Sequence, residues 1–134
     1  MGKHVIAACE QLGLSVVVEG DPIARDSYGG TACHHFEYNV TLCCADRRYN
    51  ITYHTGKGSP TVASVVATLA NEIALLDNVD DLDTFCSLLL YEDSERGIAA
   101  CFYEACRETK REFTALIGEH GVSVVRAALE ADDE

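Results

Sequence analysis

The order of apolar and polar residues indicates strands in the first half of the chain and helices in the second half. A helical spacing of apolar residues runs from Lys3 to Leu12 and ends at Gly13. Three consecutive valines predict a strand over residues 14–19, and the Gly, Asp and Pro of residues 20–22 predict a turn directly after it. Residues 27–30 (SYGG) predict a further turn or loop.

The clearest alternation lies at residues 36–44, where every second residue is apolar or aromatic. The positions that share this face of the predicted strand are Phe36, Tyr38, Val40, Leu42 and Cys44. Residues 45–48 are expected to form a hairpin tip, and residues 49–53 a return strand with its own apolar face. We therefore expect an antiparallel sheet of about three strands with one buried face.

A long helix is predicted to follow residue 58. Ser59 suits the N-cap, and Pro60 suits the first helical position, where a missing N–H costs nothing. The apolar residues of this helix follow the 3.6-residue period and are expected to lie on the sheet: Val62, Val65, Val66, Leu69, Ile73 and Leu76. Asp77 and Asn78 are predicted to end the helix.

The sequence beyond residue 78 predicts further helices. A short helix is expected over residues 80–90, and a longer one from about residue 94. The apolar residues of the longer helix that are predicted to face the core are Ile98, Phe102, Ala105, Phe113, Leu116 and Ile117. Gly118 and Gly121 are expected to interrupt it before a last helical segment over residues 122–129.

These elements predict one α+β domain that spans residues 1–134. A short N-terminal helix and the sheet occupy residues 1–58, the helical half occupies residues 59–129, and residues 130–134 form an acidic tail. The expected fold is a small antiparallel β-sheet of about three strands packed against a C-terminal group of three to four helices.

The chain is strongly acidic, and its charge is unevenly distributed. Ten Lys and Arg stand against 22 Asp and Glu, which gives a formal net charge of −12. Residues 1–71 carry six acids and five bases, whereas residues 72–134 carry sixteen acids and five bases. Such a field repels nucleic acid and anionic membrane and attracts basic surfaces, so we expect neither direct nucleic-acid binding nor membrane binding.

Eight carboxylates and no Lys or Arg occur between residues 72 and 95. Seven of them lie in what we call the acidic segment (residues 77–95), and these are the predicted partner-binding residues: Asp77, Asp80, Asp81, Asp83, Glu92, Asp93 and Glu95. In the alternative interpretation, several of these charges stabilise helix N-termini by about 0.3–1 kcal/mol each, and the rest form a solvated surface without a partner.

A row of three glutamates continues the acidic pattern at i, i+4 spacing: Glu104, Glu108 and Glu112. Like charges at this spacing destabilise a helix by about 0.2–0.5 kcal/mol per pair. The basic residues beside the row are expected to relieve part of that repulsion: Arg107, Lys110 and Arg111.

Cysteines and histidines of the first half are candidate zinc ligands: Cys33, His34, His35, Cys43, Cys44 and His54. Adjacent strands would have to bring Cys33 or His35 near Cys43. Structural zinc sites usually take ligand pairs separated by two to four residues. Because Cys43 and Cys44 are consecutive, they project from opposite faces of a strand. We predict no metal and no cofactor, and the alternative is a Cys/His metal-binding or thiol module.

The seven cysteines are predicted to be reduced and mostly buried, because their number is odd and no CxxC pair occurs. The N-terminus lacks a signal-peptide pattern, and the apolar runs are short, so a cytoplasmic location in a host cell is expected. The chain contains no G-x-S-x-G elbow, complete phosphate loop or calcium loop. These features predict a binding protein and not an enzyme.

The second half of the chain resembles a family of small acidic proteins encoded by bacteriophages and prophages. The similar parts are the helix over residues 60–76 after a β-hairpin, residues 83–86 (DTFC), residues 91–96 (YEDSER) and residues 103–106 (YEAC). The family often carries a tryptophan near residues 85–86, and this chain has none. The resemblance implies origin in a mobile element and, by analogy, an inhibitor of host defence such as an anti-CRISPR protein.

Charge and resemblance together predict a phage anti-defence protein, with an anti-CRISPR protein as the expected form. Its acidic segment would occupy the basic groove of a host protein or ribonucleoprotein effector that normally holds DNA or RNA, as a nucleic-acid mimic. The remaining alternative is an oligomeric structural or adaptor protein of a phage, with the sheet edge or an apolar helix stripe as its interface.

Overall fold

The computed structural model describes residues 2–26, 34–56, 58–78, 80, 84 and 96–133, with side chains for all of these except residues 25–26, 34–35 and 96–102. The elements, in chain order, are helix α1 (Lys3–Leu12), strands β1 (Leu14–Asp26), β2 (His34–Cys44) and β3 (Arg47–Thr55), and helices α2 (Val62–Asp77) and α3 (Arg96–Asp132). The three strands form one antiparallel sheet in the order β1-β2-β3. The predicted α+β fold class is confirmed.

The first helix ends where the sequence predicts. Gly13 adopts the left-handed conformation with φ 69° and ψ 34°, and its N–H donates to the carbonyls of Cys9 and Glu10. This geometry suits glycine because a Cβ would disfavour it. The chain then enters β1 at Leu14, whose side chain is buried.

The inner face of the sheet follows the predicted alternation. Val40 of the central strand stands between Val18 of β1 and Ile51 of β3, and Val18, on the edge strand, remains 41% exposed. Val40 and Leu42 of the central strand are fully buried. On the opposite face, Asn50 donates to Asn39 at 2.8 Å and to Thr41 at 3.1 Å, which satisfies the buried Thr41 hydroxyl.

The predicted turn at residues 20–22 is wrong. Strand β1 continues through these residues to Asp26, with a shift in register between Glu19 and Ile23. Gly20 has a φ of 72° and Pro22 lacks an N–H, so both suit an irregular site in a strand. Because β2 is long enough to pair on both sides of the irregularity, the chain bulges and does not reverse. The predicted loop at residues 27–30 lies outside the described residues.

The hairpin tip is shorter than the predicted residues 45–48. Ala45 and Asp46 alone form the turn, and Ala45 has a positive φ of 56°. Two-residue turns with positive φ match the twist of paired strands. Arg47 and Arg48 therefore pair in β3, and Arg47 Nη1 donates to the carbonyl of Ala115 in α3 at 2.8 Å.

Helix α2 begins two residues later than the sequence predicts. Its N-cap is Thr61, whose hydroxyl accepts from the Ser64 amide at 3.1 Å, while the Ser64 hydroxyl accepts from the Thr61 amide at 2.9 Å. This reciprocal capping box satisfies two amides. Ser59 and Pro60 precede the helix and are not its cap and first residue.

The apolar stripe of α2 is buried as predicted, and Val65, Val66 and Ile73 have no exposed surface. Its main helical packing partner is α3. One contiguous core joins α1, the inner face of the sheet, α2 and α3. Among the described residues, no helix combines the length and apolar character that a membrane span needs.

Helix α3 is divided by a kink at Gly118, where φ is 80° and ψ is 164°, as the sequence predicts. Gly121 lies within regular helix, so its predicted interruption is wrong. Of the described residues predicted to be buried here, Phe113, Leu116 and Ile117 are buried. Ala105 is exposed, and Cys106 takes its place in the core. The predicted tail is helical up to Asp132, and the predicted short helix over residues 80–90 lies outside the described residues.

Candidate functional site

Asp77, the first carboxylate of the acidic segment, is the last residue of α2 and lies between two cations of α3. Its Oδ1 is 2.6 Å from Lys110 Nζ, and its Oδ2 pairs with the guanidinium of Arg126. Lys110 and Arg126 lie on opposite sides of the Gly118 kink. Asp77 therefore connects the end of α2 to both parts of α3.

The negative charge of the Asp77 carboxylate is compensated by Lys110 and Arg126. Partial burial acts to raise the pKa of its carboxyl, but the hydrogen bonds and charges of Lys110 and Arg126 outweigh burial and lower the pKa. Its side chain is 29% exposed. Of the seven predicted partner-binding residues, Asp77 is thus the one whose described contacts are internal to the fold.

The other predicted partner-binding residues are placed only in part. Asp80 is exposed. Five lie outside the described residues: Asp81, Asp83, Glu92, Asp93 and Glu95. The described helices α2 and α3 flank the segment, because α2 ends at Asp77 and α3 begins at Arg96.

The glutamate row of α3 lies beside basic side chains, as predicted. Arg107 Nη1 is 3.5 Å from Glu104 Oε1, and Arg111 pairs with Glu108. Lys110 binds Asp77 instead of the row. A hydrogen bond with Glu108 is the main reason that the pKa of Glu112 is raised, with burial second.

The candidate metal ligands do not converge among the described residues. His35 and Cys43 belong to the same strand, β2, eight residues apart, which corresponds to about 26 Å along an extended chain. The approach of His35 to Cys43 that the metal-binding alternative requires is therefore not found, because the Cys43 end of β2 pairs with the starts of β1 and β3. In the described part of the chain, no group of three Cys, His, Asp or Glu side chains is placed to hold a metal ion. Cys33 lies outside it.

The described cysteines are free thiols, and two of them are core residues. Cys9 and Cys106 are buried. Burial raises the pKa of each thiol to about 11. Because the reactive species is the thiolate, these thiols have little nucleophilic character near neutral pH. The prediction of buried, reduced cysteines holds for these two positions.

A cleft between β3, α2 and α3 is the feature that sequence reasoning missed. It has a volume of about 430 Å³. We call it the Glu72 cleft, and its lining includes Tyr49, Ile51, Tyr53 and His54 of β3, Val65, Thr68, Leu69 and Glu72 of α2, and Cys106 and Thr109 of α3. Tyr49, Ile51 and Tyr53 remain only half-buried because the helices do not close over them.

Glu72 is the ionisable group of this cleft on α2. It is half-buried, and burial raises the pKa of its carboxyl. Its charge in turn raises the pKa of the Cys106 thiol and contributes to the raised pKa of Tyr49, after burial in both cases. The sequence signal for this site is a single carboxylate next to Ile73 in an otherwise apolar helical stretch.

A second, more open groove of about 750 Å³ runs beside the Asp77 ion pairs. Its described charged residues are three acids and three bases: Asp77, Glu104, Glu108, Arg107, Lys110 and Arg111. This balance makes the groove unlike the one-sided field of the acidic segment.

No protein-family model, curated protein or solved structure matches the chain. The function of the protein is therefore inferred from its charge, its packing and the Glu72 cleft.

Proposed function

We propose that the protein is an acidic binding protein whose acidic segment contacts a basic surface of another macromolecule. One observation carries this proposal: the described cations of the helical half already lie beside carboxylates. Arg107, Lys110, Arg111 and Arg126 pair with Asp77, Glu104 or Glu108. The acidic segment contains no base of its own. Its excess charge therefore favours an external cationic partner.

The partner class that fits this charge is a protein or ribonucleoprotein with a groove built for DNA or RNA. Such grooves carry Lys and Arg because they neutralise phosphates. A series of carboxylates presents the same sign of charge, and opposite charge accelerates the encounter. Because the sequence resembles small phage proteins, we propose in particular that the protein is an anti-defence inhibitor of the anti-CRISPR kind.

The test compares two variants of equal net charge. The segment variant neutralises six carboxylates: Asp80→Asn, Asp81→Asn, Asp83→Asn, Glu92→Gln, Asp93→Asn and Glu95→Gln. The control variant neutralises six exposed carboxylates elsewhere: Glu10→Gln, Glu19→Gln, Asp21→Asn, Asp46→Asn, Glu119→Gln and Glu130→Gln. Asp77 stays intact in both because it connects α2 to α3.

Both variants and the wild-type protein are immobilised and exposed to a nuclease-treated lysate of a CRISPR-bearing host at low, physiological and high salt. We expect the wild type and the control variant to retain one basic effector that high salt releases, and to inhibit its binding to nucleic acid. The segment variant should lose both properties. Binding that is independent of salt, or that survives in the segment variant, would contradict the proposal.

A second candidate is a homo-oligomer that forms through β1. This strand lies at one edge of the sheet and exposes three large apolar side chains: Val17, Val18 and Ile23. Exposed edges with apolar residues favour pairing with another strand. Light scattering coupled to gel filtration tests it, because Val17→Lys should convert an oligomer to a monomer. A wild-type monomer at high protein concentration removes this candidate.

A further inference from the structure

We infer that the Glu72 cleft binds an organic cation, an alkylammonium or guanidinium group carried on an apolar stem. The inference does not rest on the proposed function, because Glu72 lies outside the acidic segment (residues 77–95). The volume of the cleft, about 430 Å³, lies in the range of about 300–1,000 Å³ that is typical of small-molecule sites.

The walls of the cleft suit an apolar stem. Val65 and Leu69 of α2 and Ile51 of β3 line it with aliphatic carbon. Tyr49 and Tyr53 add aromatic rings from the same strand. A cation near a tyrosine ring gains attraction from the ring face in addition to apolar contact. The cleft thus offers both parts of such a ligand a matching surface.

Glu72 supplies the negative charge that selects a cation. Among the described residues, no Lys, Arg or His lies within ion-pair distance of its carboxylate. On the other two walls, Tyr49 and Cys106 are neutral at physiological pH, since burial raises the pKa of each. His54 of β3 also lines the cleft, and its Nδ1 lies 3.9 Å from Glu37 Oε1. A half-buried carboxylate that lacks a cation is costly, and a bound ammonium or guanidinium group removes that cost.

Hydroxyl groups of α2 and α3 add hydrogen-bonding capacity. Thr109 of α3 interacts with the Tyr49 hydroxyl, and Thr68 of α2 also lines the cleft. Ammonium and guanidinium groups carry several N–H donors, and hydroxyl oxygens accept from them. An inorganic cation would leave the apolar walls unused, which is why an organic cation fits better.

The experiment is an NMR titration of the full chain with n-butylammonium, methylguanidinium and the neutral analogue n-butanol. The side-chain carboxyl of Glu72 and the rings of Tyr49 and Tyr53 report binding directly. We expect saturable binding of a cationic probe and weaker binding of n-butanol. Glu72→Gln should weaken binding of the cationic probe by about tenfold or more. The matched control Glu119→Gln, at an exposed position, should leave binding of the cationic probe unchanged.

A capped lysine probe distinguishes the two sources of this chemistry. If it binds at least as tightly as n-butylammonium, the ligand is a side chain of a partner protein, and if only the free amine binds, the ligand is a small molecule. Three outcomes would overturn the inference: no saturable binding of any cation to the wild type, equal binding of n-butanol and n-butylammonium, or unchanged cation binding in Glu72→Gln. Because binding is read at Glu72, Tyr49 and Tyr53, which lie outside the acidic segment, these outcomes leave the proposed function untouched.

Discussion

The carboxylate of Asp132, at the end of α3, accepts a hydrogen bond from the amide of Val5, in the first turn of α1, at 2.9 Å. It also accepts from the His4 amide at 2.9 Å and lies 2.7 Å from His4 Nδ1. The N-cap residue of α1 is Gly2, which has no side chain to cap the helix. Asp132 therefore caps α1 from the far end of the chain, and its charge complements the helix dipole.

Replacing Asp132 with Ala should lower the midpoint of thermal unfolding by several degrees, because it leaves the first amides of α1 without their acceptor. Its exposed neighbour offers a matched control, since Asp133→Ala removes one carboxylate at the same helix end. Circular dichroism melts of the two variants provide the comparison. Equal melting of Asp132→Ala and the wild type would show that the cap contributes little.

The contribution of Asp132 should also depend on pH. Its partial burial acts to raise the pKa, but the hydrogen bonds from Val5 and His4 outweigh this and lower it. A lowered pKa in the folded state means that the stabilisation is fully present above the unfolded value of about 3.9 and is lost as pH falls through the folded value. The difference in unfolding free energy between the wild type and Asp132→Asn should therefore shrink below about pH 4. A constant difference down to pH 2 would contradict this assignment.

Gly2 is required by the same contact. A Cβ added at this residue would overlap the carboxyl group of Asp132. Gly2→Ala should therefore displace Asp132 and destabilise the protein to a similar degree as Asp132→Ala. In a double-mutant cycle the two changes should be far from additive, because both remove one interaction. Fully additive losses would show that Gly2 acts through another part of the fold.

Asp77→Asn should lower the free energy of unfolding by about 1–2 kcal/mol, because hydrogen bonds to charged groups are stronger than neutral ones. The substitution also leaves Lys110 and Arg126 close together without the carboxylate between them. Urea unfolding measures the loss. The control is Glu104→Gln, whose exposed pair with Arg107 should contribute less than about 1 kcal/mol. A smaller loss for Asp77→Asn than for Glu104→Gln would contradict the proposed connection between α2 and α3.

Local signals explain why much of the fold could be predicted from the sequence. The glycine that ends α1 and the period-two alternation of β2 act between residues that are close in the chain. Competing local signals gave errors, as at the start of α2, where Ser59 and Thr61 are both good caps and the reciprocal partner Ser64 decides for Thr61. The bulge at residues 20–22 depends on whether a partner strand continues past it, which is not a local property.

The candidate sites were harder to predict because their contacts join distant residues. Asp77 meets cations 33 and 49 residues away. Asp132 and Val5 are 127 residues apart. The Glu72 cleft depends on how closely two helices approach β3, and no periodicity reports that distance. Charge counting identified the acidic segment, but it could not show that Asp77 has internal partners.

Glu72→Gln should raise the stability of the ligand-free protein at neutral pH. Burial raises the pKa of the Glu72 carboxyl in the folded state above its ordinary value. The folded protein therefore holds this proton more tightly than the unfolded chain, so stability is highest below the unfolded pKa of about 4.3 and falls as pH rises through the folded pKa. An amide of the same shape avoids that loss.

The gain in Glu72→Gln should consequently be a few degrees in unfolding midpoint at pH 7 and should disappear near pH 4. Thermal melts across this range measure it, with Glu130→Gln as the exposed control, whose melting should differ little from that of the wild type at any pH. A gain that does not change with pH would mean that the amide acts through packing. A loss at pH 7 would mean that the ionised carboxylate stabilises the fold, and the cleft would then already satisfy its charge.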